Sequence, residues 1–336
     1  MGKTTILLQI VRQLLKSTTA QAICYLRLDD PDLAGQPLGR LVDLYRKSCR
    51  SPNRLAYLLL DEVHGSPGWA QQMKSWVDGN EPNRVLATGS LAPHLTDGSR
   101  ESGPGRWDEV VVPPLGLFEY ALLQGLAKEE EARLLPDGWW ERPQVPVPQL
   151  ERDLWPGYLL KGGFPASALE NDVTTAHQRL REDIYERALV RDMAVYFGLR
   201  SFDTLRHLFR YVAEQSSCIA NTKVLSARSG ASAATIADML VRLRETFLVA
   251  QTLPFVRGKA ALRPRPKLYL CDASLRSAVL LHGPEIFQDA SALGYIYETA
   301  AHSHLAHLAR SRGGELSYWR DERGEVDFLM ALPGRS

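Results

Sequence analysis

Apolar residues near the start of the chain recur every three or four positions, which is the period of an amphipathic helix. They are Ile6, Leu7, Ile10, Val11, Leu14 and Leu15. The spacing predicts a helix over 4–16. The sequence Gly2-Lys3-Thr4 stands at the N-terminus of this helix, where backbone N–H groups and the helix dipole favour anions.

Short continuous apolar runs follow, separated by further helical patterns. The runs AICYLRL (22–28), LAYLLLDEVH (55–64) and RVLATGS (84–90) are typical of strands buried on both faces of a parallel sheet. Helical patterns lie between them, at 38–48 and 69–79. This alternation predicts an α/β core in which helices cover both faces of a parallel sheet.

The pattern changes after this core, and we expect five parts in the chain. They are the α/β core (1–125), a connection rich in proline and charge (126–165), a helical region (166–221), a unit of two helices and a hairpin (222–276) and a C-terminal α/β segment (277–336).

Composition narrows the class of protein. The chain has 336 residues, of which 45% are hydrophobic and 24% charged, so it can bury a sizeable core. Its net charge of +1 excludes a strongly basic field, and nucleic-acid contact would need a local basic patch. Its four cysteines are scattered, which is unlike a disulfide framework or a zinc site. With no apolar run near the roughly 20 residues of a membrane span, we expect a cytoplasmic protein without membrane contact.

The N-terminal motif is the closing half of a phosphate-binding loop, G-x-x-x-x-G-K-[ST]. The backbone N–H groups of Gly2, Lys3, Thr4 and Thr5 would then face phosphate oxygens. The Lys3 ammonium would reach the β- and γ-phosphates, and the Thr4 hydroxyl would ligate Mg²⁺. A capped amphipathic helix without a ligand is the alternative.

Polar residues at the ends of two buried runs complete the predicted nucleotide site. Asp61 would hold Mg²⁺ through water, and Glu62 would polarise the attacking water. The hydroxyls of Thr88 and Ser90 could bond the γ-phosphate or that water, unless they belong to a simple turn. Arg106 could stabilise transition-state charge, in cis or from a neighbouring subunit, or be a solvated surface residue.

Four stretches in this order resemble motifs of the bacterial and archaeal AAA-type P-loop ATPases related to the archaeal-ATPase and STAND lineages. They are GKTTILLQIV, YLLLDEVHGSPGWAQQMKSWVD, RVLATGS and GRWDEVVVPPLGLFEY, and YLLKGGFP with the sequence after it resembles the C-terminal domain of unknown function that accompanies this ATPase. The resemblance implies an ATPase that uses ATP and Mg²⁺, with Lys3, Thr4, Asp61 and Glu62 in their usual roles. Family members carry a strand and the first half of the phosphate loop before Gly2, so we expect the chain as written to bind ATP less well.

Residues 222–245 predict two helices joined by a turn at Gly230-Ala231, and two strands follow, joined by a basic loop. This order is typical of a winged helix, which can place its second helix in the major groove of DNA. The predicted base contacts are Ser232, Thr235 and Arg242, and the predicted phosphate contacts are Arg257, Lys259, Arg263, Arg265 and Lys267. A protein-interaction or packing module is the alternative.

The C-terminal segment resembles the opening of a PD-(D/E)XK nuclease fold, with Glu298 on a helix and Asp327 on a strand. Such sites need clustered carboxylates for a divalent metal, and a lysine. The acidic-x-Lys strand that should come next is not in the sequence, which favours a pair of acids that stabilises the fold. We expect His302, His304 and His307 to be exposed or packing residues rather than metal ligands.

Domain order therefore predicts an ATP-binding and hydrolysing switch that acts on DNA or on a protein partner, and leaves oligomerisation open. The first alternative is a non-hydrolysing binding module with a degenerate nucleotide site. The second is a metal-dependent nuclease.

Overall fold

The computed structural model describes residues 2–49, 55–79, 82–89, 106–127, 133–134, 140–141, 152, 154–192, 202–255 and 265–334. The chain divides into two units, Met1–Val112 and Pro113–Ser336.

The first unit alternates helices and strands in the predicted order. Its elements are α1 (Lys3–Leu14), β1 (Ile23–Arg27), α2 (Leu38–Cys49), β2 (Ala56–Asp61), α3 (Trp69–Asp78) and β3 (Asn83–Ala87). The three strands form a parallel sheet in the order β1-β2-β3. Because the strands are parallel, their carboxyl ends meet at one edge of the sheet, where Arg27 pairs with Asp61.

Burial on both faces of β2 explains its continuous apolar sequence. Leu58 and Leu60 belong to a core with the apolar residues of α2 and α3. Leu59 points to the opposite face and is fully buried. Helix α1 also packs against β2 and buries Leu7. The predicted mixed α/β architecture with a parallel sheet is confirmed, and it is consistent with a P-loop NTPase-like fold.

The second unit contains the remaining helices and strands. They are α4 (Leu117–Leu123), β4 (Arg133–Leu134), β5 (Trp140–Glu141), α5 (Trp155–Lys161), α6 (Pro165–Ala168), α7 (Val173–Leu180) with a π-helical continuation (Arg181–Asp192), α8 (Phe202–Glu214), α9 (Thr222–Ser229), α10 (Ala233–Glu245), β6 (Val249–Pro254), β7 (Lys267–Leu270), α11 (Ser274–Leu280), α12 (Ala290–Ser311), β8 (Glu315–Arg320) and β9 (Glu325–Ala331). No helix in these described ranges, or in those of the first unit, is long and apolar enough to span a membrane.

A four-stranded sheet joins two parts of the second unit that are distant in sequence. Its order is β7-β6-β8-β9. Strands β6 and β7 pair antiparallel, whereas β6 and β8 pair parallel, with Leu253 opposite Ser317. The hairpin after the two helices therefore shares one sheet with the C-terminal strands.

Two glycines allow a close approach in the motif YLLKGGFP. Gly162 has a φ of +77°, a backbone conformation that glycine tolerates best. The N–H of Gly163 donates to Asp272 Oδ2 at 2.7 Å. A Cβ atom on Gly163 would overlap the carbonyl group of Leu115. These contacts tie the segment before α4 and the end of α5 to the buried carboxylate of Asp272.

Candidate functional site

The first turn of α1 forms one side of the candidate nucleotide site. Gly2 precedes the helix with a φ of +90°, and its carbonyl oxygen accepts from the N–H of Ile6 at 3.0 Å. The first N–H groups of an α-helix have no acceptor within the helix, so they can bind an anion. Lys3 is partly buried, whereas Thr4 and Thr5 are exposed.

Asp61 lies at the carboxyl end of β2 and is almost fully buried, with 1% of its surface exposed. The Thr88 hydroxyl donates to Asp61 Oδ1 at 2.5 Å, and the Tyr25 hydroxyl donates to Oδ2 at 3.2 Å. Burial and the charge of Asp61 raise the pKa of Tyr25 to about 12, so the phenol keeps its proton. Two neutral donors therefore orient the carboxylate.

Glu62 follows in a left-handed backbone conformation, with a φ of +51°. Its N–H donates to Thr88 Oγ1 at 3.1 Å. The same hydroxyl group donates to Asp61, so Thr88 connects the two acidic residues. The Val63 N–H donates to the Thr88 carbonyl oxygen at 2.8 Å, which extends the connection between β2 and the end of β3.

His64 lies close to these acids. His64 Nδ1 lies 3.2 Å from Glu62 Oε2. Burial, and to a smaller extent the positive charge of Lys3, lower the pKa of His64 to about 4.

The other residues predicted for nucleotide chemistry do not all join this group. Ser90 lies outside the described residues. Arg106 Nε and Nη2 donate to Asp78 Oδ1 and Oδ2 at 2.9 and 3.4 Å. These hydrogen bonds hold the pKa of Asp78 below its ordinary value. Asp78 lies at the end of α3, and from there the chain continues to the start of β3. Arg106 therefore lies near the amino ends of the strands, at the edge of the sheet opposite to Asp61.

The residues predicted to contact DNA have varied environments. The Ser232 hydroxyl oxygen caps α10 by accepting from the N–H of Thr235 at 3.1 Å. Arg242 Nε donates to Asp238 Oδ2 at 2.7 Å. Arg265 is exposed. The remaining three basic residues of the predicted loop lie outside the described residues; they are Arg257, Lys259 and Arg263.

Lys267 requires a correction. It begins β7 with 4% of its surface exposed, and its ammonium lies among three carboxylates. The distances from Nζ are 2.5 Å to Glu325 Oε1, 2.8 Å to Asp327 Oδ1 and 3.3 Å to Glu298 Oε1. A buried ammonium with three anionic partners does not reach a DNA phosphate, so Lys267 is not part of an exposed basic loop.

The surroundings of this ion cluster are aromatic. The Tyr269 hydroxyl donates to Glu298 Oε1 at 2.8 Å, and its ring stacks on His302 with centroids 3.9 Å apart. His302 Nε2 lies 2.8 Å from Thr252 Oγ1. Burial lowers the pKa of His302 to about 3, so its ring is neutral near pH 7. The described residues contain no group of three or more His, Cys, Asp or Glu side chains placed to hold a metal ion.

The sequence did not identify several residues of the candidate nucleotide site and of the ion cluster around Lys267. Tyr25 and His64 contact the acids at the end of β2, and Tyr269 and Glu325 contact the cluster around Lys267. His64 had a local signal, since it lies two residues after Glu62. The other contacts depend on strand register and on residues far away in the sequence.

Comparisons with known proteins show that two parts of the chain match different family models. Residues 1–121 match a family model described as an AAA domain. Residues 152–285 match one described as a domain of unknown function (DUF8612). No curated protein and no solved structure matches the chain. The first match supports an AAA-type P-loop ATPase at the N-terminus, and with it ATP binding and the Mg²⁺ that such proteins typically use.

Proposed function

We propose that the chain binds ATP with Mg²⁺ at the carboxyl edge of its parallel sheet and hydrolyses it, and that nucleotide binding switches the interaction of its C-terminal unit with DNA or a protein partner. One observation carries the proposal. Thr88, just after β3, bonds both Asp61 and Glu62 at the carboxyl end of β2.

Each group has a chemical task in this proposal. The N–H groups at the start of α1 and the Lys3 ammonium bind the phosphates. Glu62 orients the attacking water and takes its proton while the bond between the β,γ-bridging oxygen and the γ-phosphorus breaks. ADP and inorganic phosphate leave. Thr88 keeps both acidic residues in place.

The donor set at this edge fits magnesium. Mg²⁺ prefers oxygen ligands and usually keeps several waters beside one or two carboxylates and substrate phosphates. The buried Asp61 carboxylate and the exposed Thr4 hydroxyl are donors of this kind. Bound Mg²⁺ would neutralise charge on the phosphates.

ATP affinity measured by calorimetry tests the binding step. Lys3→Ala should weaken ATP binding at least about tenfold, since a charge-assisted phosphate contact contributes about 1.5–3 kcal/mol. Lys16→Ala is the matched control, because Lys16 is an exposed lysine just beyond the end of the same helix. Equal affinities of the Lys3 variant and the unaltered chain would refute the site.

A non-hydrolysing binding module is the second candidate, and the pairing of Arg106 with Asp78 favours it because the arginine is not near the acids. The substitution Glu62→Gln distinguishes an ATP-hydrolysing protein from a non-hydrolysing binding module. It should retain ATP binding and lose about 10²–10⁴-fold in hydrolysis rate if Glu62 is the general base. If the protein binds ATP without hydrolysing it, the unaltered chain and the Glu62→Gln variant should release phosphate at the same rate.

The partner of the C-terminal unit can be tested by salt dependence. If the basic loop contacts DNA, log Kd should change steeply with log salt, and Arg265→Ala should reduce the slope by about one. Addition of ATP should change the affinity. Salt-independent binding would favour a protein partner. Plasmid incubated with Mg²⁺ or Mn²⁺ tests the nuclease alternative, in which a metal would compete with the Lys267 ammonium for the three carboxylates.

A further inference from the structure

The Asp61 carboxylate receives one hydrogen bond from each side of β2. Thr88, just after β3, donates to Oδ1 at 2.5 Å, and Tyr25, in β1, donates to Oδ2 at 3.2 Å. Arg27, the partner of Asp61 in the strand register, turns instead to Asp29, with Nη2 3.2 Å from its Oδ2 atom. The described hydrogen bonds of the carboxylate therefore come from two neutral hydroxyls, and the neighbouring cation is engaged elsewhere.

The register of the sheet explains why Tyr25 reaches this carboxylate. Tyr25 pairs with Leu59, and Arg27 pairs with Asp61. Side chains two residues apart in a strand project from the same face of the sheet, so Tyr25 and Asp61 share a face. The long tyrosine side chain carries its hydroxyl from the middle of β1 to the carboxyl end of β2.

The two hydroxyls together restrict a torsion that one alone leaves free. The backbone of Thr88 is fixed, because its N–H donates to the Leu60 carbonyl oxygen and its own carbonyl oxygen accepts from the Val63 N–H, both at 2.8 Å. The torsion that turns the plane of an aspartate carboxylate is broad, so a single hydrogen bond to Oδ1 leaves this plane variable. A donor on Oδ2, anchored in a different strand, fixes it.

We propose that Tyr25 is a positioning residue for magnesium: its hydroxyl fixes the plane of the Asp61 carboxylate and so directs the remaining acceptor positions toward water molecules bound to Mg²⁺. The inference rests on the proposed ATP-binding function. An ionised carboxylate offers about four acceptor positions, of which Thr88 and Tyr25 occupy two. Side chains that orient the groups around a metal contribute to its binding, and their loss typically lowers metal affinity about 10–100-fold.

The substitution Tyr25→Phe tests this role in the full chain, because it removes the hydroxyl and keeps the ring. Calorimetry gives the Kd for ATP with excess Mg²⁺ and again with EDTA, and the ratio of the two values measures the contribution of Mg²⁺. Tyr45→Phe is the matched control. The Tyr45 hydroxyl donates to the Gln21 carbonyl oxygen at 2.7 Å, before the amino end of β1 and away from the edge that carries Asp61.

We expect Tyr25→Phe to reduce the contribution of Mg²⁺ about tenfold, the low end of the range above, because the Thr88 hydrogen bond remains. The ATP Kd in EDTA should stay within about twofold, and Tyr45→Phe should match the unaltered chain in both conditions. The melting temperature of each variant shows whether it folds. A merely structural role would change the two Kd values alike and leave their ratio unaltered.

A double-mutant cycle tests whether Tyr25 acts through Asp61. In the Asp61→Asn background, Tyr25→Phe should change the contribution of Mg²⁺ by less than about twofold, because the carboxylate that the hydroxyl orients is gone. An undiminished tenfold effect in that background would overturn the proposed role. If Asp61→Asn does not fold, the comparison of Tyr25→Phe with Tyr45→Phe still decides the question.

The outcomes separate this inference from the proposed function. If Mg²⁺ tightens Lys3-dependent ATP binding and Tyr25→Phe leaves that gain within about twofold, the role of Tyr25 alone is overturned. Equal losses in Tyr25→Phe and Tyr45→Phe overturn it too, since the position of the hydroxyl would not matter. Absence of Lys3-dependent ATP binding in the unaltered chain overturns the proposed function, and the role of Tyr25 with it.

Discussion

Replacement of Lys267 by methionine should destabilise the C-terminal unit through its carboxylate partners. The ammonium is 4% exposed and lies 2.5 to 3.3 Å from three carboxylate oxygens. Methionine retains most of the volume and removes the charge. The carboxylates of Glu298, Glu325 and Asp327 would then repel one another, and Arg320, with Nη1 3.6 Å from Glu325 Oε2, would offset this repulsion only in part.

The magnitude follows from burial. Breaking a buried ion pair by removal of one partner costs about 3–5 kcal/mol. The partners here keep 22%, 30% and 50% of their side-chain surface exposed, so water can hydrate them in part. We therefore expect a loss of about 2–4 kcal/mol, which for a unit of this size lowers the melting temperature by about 5–15 °C.

Thermal unfolding followed by near-UV circular dichroism measures this effect in the full chain. Arg265→Met is the matched control, because Arg265 is an exposed cation two residues away. Its melting temperature should change by less than about 2 °C, as surface substitutions usually shift stability by less than about 0.5 kcal/mol. A second variant, Lys267→Met with Asp327→Asn, removes one of the uncompensated charges and should recover part of the loss. A change below about 2 °C in Lys267→Met, or no recovery in the double variant, would refute the reasoning.

Two further predictions concern a close approach and a buried ring. Gly163→Ala should lower the melting temperature, since the new methyl group would overlap the Leu115 carbonyl and overpacking costs about 1–3 kcal/mol. Gly294→Ala, in a helix with open space around the Cβ position, should instead stabilise by about 0.5–1 kcal/mol, and a loss of stability there would contradict the argument. Because the pKa of His302 is about 3 in the folded chain and near 6.5 when unfolded, the unfolded chain binds more protons between these values, and stability should fall as the pH decreases from 6.5 toward 3. Denaturant titrations at several pH values should show a flatter dependence for His302→Gln, and identical slopes would show that this ring does not contribute.

The elements of the first unit were predictable because their signals are local. A continuous apolar run such as LAYLLLD predicts a strand covered on both faces, and the structure buries Leu58, Leu59 and Leu60. The run extended to His64 in the sequence, but the strand ends at Asp61. Glu62 adopts a left-handed conformation there, which no pattern of hydrophobicity reports.

The burial of Lys267, in contrast, could not be predicted from the sequence around it. Its neighbours in RPRPKLYL predict a basic loop, because they include two arginines and no acid. Its carboxylate partners come from α12 and β9, between 31 and 60 residues later in the chain. Strand β8, the parallel partner of β6, lies between α12 and β9 in the chain. Such pairing depends on the whole sheet, so the burial of Lys267 had no local signal.

The sequence alone determined the order of helices and strands in the first unit and the candidate phosphate, magnesium and water-activating residues, because periodicity and motif spacing act over a few residues. Only the tertiary structure decided which side chains meet. It placed Tyr25, His64 and Thr88 around Asp61 and Glu62, paired Arg106 with Asp78, and buried Lys267 among carboxylates. The reason is physical: these contacts depend on strand register and close packing between distant segments, which the order of residues in any one segment does not contain.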